Sequence, residues 1–166
     1  MEAPLRDFLL RQFEAESANT RKMLERLPWD RREWRPHPKS MTMGQLAVHI
    51  VRLTGFPAMI LGGDGRDIAA GPPTPLDPQS TAELVAVYDG LRQGSVAALA
   101  EATPDALSQP WTLRNGDRVI FTLPRVAAMT SMGFNHIIHH RAQLGVYLRL
   151  LDVPVPGMYG PSADDR

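Results

Sequence analysis

The sequence predicts an all-α protein, a four-helix bundle with one long crossover connection and a minor β-hairpin before the last helix. Proline and glycine divide the 166 residues into four long segments joined by shorter, interrupted ones. Within each segment apolar residues recur near helical spacing, with charged and polar residues between them. Two segments open on Thr or Ser followed three residues later by Gln or Glu, the spacing of a capping box.

The first helix is expected from Leu5 to Leu27, with Leu9, Phe13, Thr20, Leu24 and Leu27 on one face and Pro28 as its stop. Between Pro28 and Lys39, Trp29, Trp34, Pro36 and Pro38 predict a packed loop rather than a free linker. Thr42 and Gln45 begin the second helix, whose inward face carries Leu46, Ile50, Leu53, Phe56 and Ile60, with Pro57 as a kink or early end. From Gly62 to Gln79, glycines and Pro72, Pro73, Pro75 and Pro78 predict a long crossover across one end of the bundle. Ser80 and Glu83 open a third helix to Ala102, with Leu84, Val87, Tyr88 and Leu91 inward. Trp111 to Phe121, alternating about the turn-forming Asn115-Gly116-Asp117, reads as the hairpin. The last helix is expected from Thr122 to Leu151, with Pro124 in its first turn and Pro154 and Pro156 beyond its end. No internal repeat appears, and residues 1–166 read as a single domain.

Composition narrows function. Eighteen basic and eighteen acidic side chains give no net charge, which argues against a polyanion or an acidic membrane surface as partner. No apolar run reaches the roughly 18 residues of a membrane span, and the charged first segment has no signal-peptide core, so the expected location is cytoplasmic. There is no cysteine, which removes disulfides, thiol nucleophiles and thiolate metal sites and leaves histidine, carboxylate and water as metal ligands.

The five histidines are then the informative residues. At about 100° per residue, Val126, Met129, Ile137, Leu144, Tyr147, Leu148 and Leu151 define an inward arc of the last helix. His136 and His140 fall inside that arc, and His139 lies on its edge. His49 falls between Leu46 and Leu53 on the buried side of the second helix, whereas His37 belongs to the loop and is expected at the surface. One histidine on an apolar face is more often a core residue bonded to a backbone carbonyl than a ligand. Three converging imidazoles in one apolar core must each be satisfied by something, because each buried polar group without a partner costs about 1–3 kcal/mol. A divalent ion satisfies all three, and nickel or zinc suits an all-nitrogen donor set, whereas magnesium or calcium would call for carboxylates.

The run His136-Ile-Ile-His139-His140-Arg141-Ala-Gln143-Leu144, then Tyr147-Leu148-Arg149-Leu150-Leu151 and the tail Pro154-Val-Pro156-Gly157-Met158-Tyr159-Gly160, resembles the end of DinB/YfiT-like four-helix-bundle proteins. Ser40 to His49 resembles their entry to the second helix. The resemblance implies a divalent metal, often nickel or zinc, held at positions that correspond here to His49, His136 and His140, the three that the helix projection selects. Ala142 departs from the family's frequent glycine. The family's name refers to induction by DNA damage, a matter of expression rather than DNA binding. Its wider membership implies thiol-dependent S-transferases, using bacillithiol or mycothiol, and mycothiol-dependent isomerases, and it implies a homodimer.

The expected function is therefore that of a metal-dependent enzyme acting on a small-molecule substrate, by hydrolysis or by transfer to a low-molecular-weight thiol. A bundle that binds metal or a small ligand without catalysis is the alternative, and an interaction protein using the crossover and the Trp29/Trp34 loop is a third. No carboxylate lies within either histidine motif. Arg141, Gln143 and Tyr159 are the candidates for acid, base or orienting roles, against readings as surface charge, helix packing and tail anchoring.

Overall fold

The computed structural model describes residues 4–71 and 74–165. Helix α1 (Pro4–Leu24) buries Leu9, Phe13, Thr20 and Leu24 on one face. It ends one turn before the expected Leu27. Pro28 disfavours helical backbone at the residue before it, and the chain tightens there into bonds from Arg26 N to Met23 O and Leu27 N to Leu24 O, each 3.2 Å. The tryptophan loop that follows is packed as expected. Trp29 Nε1 donates to Pro78 O at 3.1 Å, and Trp34 meets Tyr147 edge-on at 5.6 Å.

Helix α2 (Met43–Thr54) starts on a complete capping box, with Thr42 Oγ1 accepting from Gln45 N and Gln45 Oε1 accepting from Thr42 N. The expected continuation to Ile60 is interrupted at Gly55, and α3 (Phe56–Leu61) is a separate short helix. Pro57, without an N–H, cannot sustain the helical bonding pattern. The Ser95 hydroxyl fills the break, donating to Thr54 O at 2.7 Å and accepting from Ala58 N at 3.4 Å.

The crossover contains more structure than its composition predicts. Strand β1 (Gly65–Asp67) and a 3-10 turn (Ile68–Ala70) lie within it, and the expected Pro72 and Pro73 fall outside the described residues. Gly65 is required at its position, since a Cβ there would collide with the Thr112 carbonyl. Helix α4 (Thr81–Glu101) follows, capped by Ser80 and tied to α1 by Tyr88 Oη donating to Ser17 O at 2.6 Å. A short helix not anticipated, α5 (Pro104–Ser108), is capped by Thr103, with Pro104 in its first turn.

Strands β2 (Pro110–Asn115) and β3 (Arg118–Pro124) form the hairpin, turning at Gly116 with φ +58°. β1 adds parallel to β2, giving a three-stranded sheet of order β1-β2-β3. The pairing corrects the expected start of the last helix. Thr122 to Pro124 continue the ladder, with Thr122 opposite Thr112 and Pro124 opposite Pro110, so helix begins only at Arg125. It runs as α6 (Arg125–Ala128), a π-helical stretch (Met129–Asn135) and α7 (His136–Leu150).

The protein is thus mostly helical with a small sheet. α1 and α2 each pack against α4 and α7. One apolar cluster lies among these four helices, including Leu24, Leu46, Ile50, Leu84, Tyr88, Leu144 and Leu148. A second, with Phe13, Ile60, Leu99, Trp111, Met129 and Phe134, joins the sheet to the helices. Among the described residues no helix is long and apolar enough to cross a membrane.

Candidate metal centre

Helices α2 and α7 lie side by side, and their histidines meet between them. On α7, His136 and His140 are one turn apart, which places their Cβ atoms about 5–6 Å from one another. They share a face with the buried Ile137, Leu144 and Leu148. The π-helical stretch sets the phase of that face, because an extra residue per π turn rotates all that follows by about 100° relative to α6. It also brings Gly133 against α3, where a Cβ would lie 3.8 Å from that of Phe56.

The three rings that the sequence selects come together. Ring centroids are 5.1 Å apart for His49 and His136, and 4.7 Å for both His49–His140 and His136–His140. One ligand nitrogen from each lies within 4.8 Å of the other two, and no other such group of three occurs among the described residues. His49 Nε2 stands 3.5 Å from His136 Nε2. Nitrogens bound at 2.0–2.1 Å to one tetrahedral ion stand roughly 3.3–3.4 Å apart. The spacing is therefore that of two ligands on one ion with little rearrangement.

Electrostatics keep two of the rings, His49 and His136, in the neutral form that can bind an ion. Burial, then the neighbouring His140, His136 and Arg52, push the His49 imidazole down to about 4. Burial and His140 also hold His136 below the ordinary histidine value, against an opposing backbone contact with Met132. Both rings are neutral at pH 7, with lone pairs available. His140 is buried at 7% exposure, and its Nδ1 lies 2.7 Å from Gln143 Oε1. That oxygen only accepts, so the contact selects the neutral tautomer that donates from Nδ1, in which Nε2 can bind an ion.

A pH dependence follows. His49 titrates lower in the folded chain than its ordinary 6.5, so unfolding takes up a proton between those values, and stability falls as pH drops from about 6.5 toward about 4. Thermal melting of the chelator-treated protein across that window is expected to decline, and the decline should be shallower in His49→Ala. Identical slopes in the two proteins would contradict it.

The model of the DinB superfamily matches residues 12–144. The chain belongs to the DinB superfamily. No curated protein matches it. Among solved structures it is similar to a DinB-like protein from Bacillus subtilis, at 18% identity and TM-score 0.69 over 87% of this chain and 94% of that one. It is also similar to a DinB-like protein from Bacillus cereus, at 28% identity and TM-score 0.68 over 90% and 95%.

The remaining candidates in this DinB chain divide by location. Gln143 orients His140, as above. Arg141 and Tyr159 lie elsewhere, in a cluster that anchors the tail. Arg141 is 2% exposed and donates to Glu16 Oε2 at 2.6 Å, Glu16 O at 2.8 Å and Thr20 Oγ1 at 3.2 Å. Tyr159 Oη accepts from Arg141 at 2.6 Å and donates to the Glu16 carboxylate. His139 is exposed beside His140, with ring centroids 4.9 Å apart. His37 is exposed in its loop, where Nδ1 accepts from Lys39 N at 3.1 Å.

Two residues that sequence reading passed over join the site. A cavity of about 620 Å³ opens beside His49, walled by Leu53, Phe56, Met59, Leu91 and Leu113, with Arg52 and Arg66 among its lining. Arg52 lies three residues after His49 and so on a neighbouring part of α2, which spacing alone could have flagged. Arg66 has no such signal, because only the pairing of β1 with β2 brings it opposite Leu113.

Proposed function

We propose that this DinB-superfamily protein is a metal-dependent enzyme whose ion is held by His49, His136 and His140. The observation that carries the reading is the meeting of three imidazoles from two helices, with a pocket opening beside one of them. Nickel or zinc suits nitrogen donors of this kind. A divalent ion bound there supplies a Lewis acid, which activates water for hydrolysis or a low-molecular-weight thiol for S-transfer.

The chain's own residues do the positioning. His140 is held in one tautomer by Gln143, and burial keeps His49 and His136 deprotonated at neutral pH. An ion held by these three histidines would keep a coordination position for substrate. No carboxylate is found among the residues lining the pocket, so the reading assigns no general base of that type. The lack of cysteine agrees with a thiol that arrives as cosubstrate. α1, α2, α4 and α7 serve as the four-helix-bundle scaffold, and the family resemblance adds a homodimer, to be tested by sedimentation.

Removing and returning the ion tests the reading. Chelation is expected to abolish turnover in thiol-transfer or hydrolysis screens and to lower the melting temperature, and nickel or zinc should restore both. Recovery of stability with no turnover under any substrate would make the chain a non-catalytic metal-binding protein instead.

A further inference from the structure

The cavity beside His49 has a composition that constrains what enters it. Its volume, about 620 Å³, lies within the roughly 300–1,000 Å³ of small-molecule sites. Phe56 and Met59 from α3, Leu91 from α4 and Leu113 from β2 make most of its wall apolar. A ligand body rich in hydroxyls would lose its bonds to water there without replacing them.

The charged part of the lining is one-sided. Arg52 and Arg66 bring two guanidinium groups, and the lining holds no acid. Neither arginine forms an ion pair among the described residues. Arg52 donates to Thr74 O at 2.6 Å, which engages one of the five N–H groups of a guanidinium. The acid next to Arg66 in the chain, Asp67, is engaged elsewhere. It accepts from Ala69 N and Gly116 N, both at 2.9 Å, and pairs with Arg114 at 3.3 Å.

We infer that this pocket takes an amphiphilic carboxylate, its apolar body among Phe56, Met59, Leu91 and Leu113 and its acid group on Arg52 and Arg66. As a statement of substrate class it rests on the metal-centre reading above, because His49 forms part of the same wall. As a statement of binding it does not need the ion. The guanidinium fork matches a carboxylate in two parallel bonds, and an apolar surround strengthens them.

Calorimetric titration of the full chain, chelated and metal-loaded, with decanoate, decanol and decyltrimethylammonium tests this. Decanoate is expected to bind the chelated protein and the other two to bind far more weakly. Arg52→Gln and Arg66→Gln should each weaken decanoate about tenfold, the loss of one charge-assisted bond, while melting as wild type does. Leu91→Trp, which fills the cavity from α4, should abolish decanoate binding. No binding of decanoate, equal binding of decanol, or unchanged binding in both arginine variants would overturn the inference. Decanoate binding by a protein that holds no metal would leave this inference standing and remove the metal reading. A metal-loaded protein indifferent to decanoate would do the reverse.

Discussion

His140→Ala is expected to lose its metal and melt well below wild type, whereas His37→Ala keeps metal content and melting temperature nearly unchanged. His140 is the most buried of the three clustered histidines, and its Nδ1 is taken up by the Gln143 contact, so Nε2 is the nitrogen it can offer an ion. An ion present at 100 to 1,000 times its dissociation constant stabilises the folded chain by about 2.7–4.1 kcal/mol, or roughly 5–15 °C for a protein of this size. Chelated wild type and the chelated variant should then lie close together, because the ion accounts for most of the difference. His37 has only an exposed bond within its own turn, from Lys39 N. Elemental content and melting curves with and without chelator check the pair. Equal metal content in wild type and His140→Ala would sink the ligand assignment.

Glu16→Ala is expected to destabilise by about 3–5 kcal/mol without altering metal content, because it leaves the buried Arg141 guanidinium without its counter-charge. The side chains of this pair are 3% and 16% exposed, far from the solvated setting in which ion pairs contribute little. Arg141 also lies over the Tyr159 ring at 5.6 Å, so the same loss loosens the tail. Glu16→Gln, which keeps the shape and one acceptor, should cost less. Denaturant unfolding of chelated protein measures both variants. An unfolding midpoint equal to wild type in Glu16→Ala would contradict the structural role given to this cluster, and loss of metal would tie Arg141 to the site instead.

The histidine positions were legible because they depend on local periodicity. His136 and His140 both lie within regular α7, so a uniform helical step places them together however the helix begins. The start of that helix was not legible, since Thr122 to Pro124 are claimed by pairing with β2, a contact that no local pattern encodes. The same holds for β1, whose three residues look like crossover until they meet β2. The π-helical stretch escapes any projection at fixed angle, yet it sets how α7 faces α2. Capping-box spacing placed the starts of α2 and α4 because both partners are near in sequence, although at α4 only the Ser80 half forms and the Glu83 carboxylate accepts from Gln79 N instead. The cationic side of the pocket stayed hidden for the opposite reason, joining α2 to a strand that is placed only by the sheet.

The central claim is that three histidines hold one ion, and elemental analysis of protein purified without a histidine tag or chelating resin tests it most directly. Wild type is predicted to carry about one nickel or zinc per chain, the stoichiometry of a single three-histidine site with no other group gathered among the described residues, and His49→Ala to carry none. A wild type free of metal that also fails to take up added nickel or zinc would contradict the claim and leave the three imidazoles as packing residues of the core.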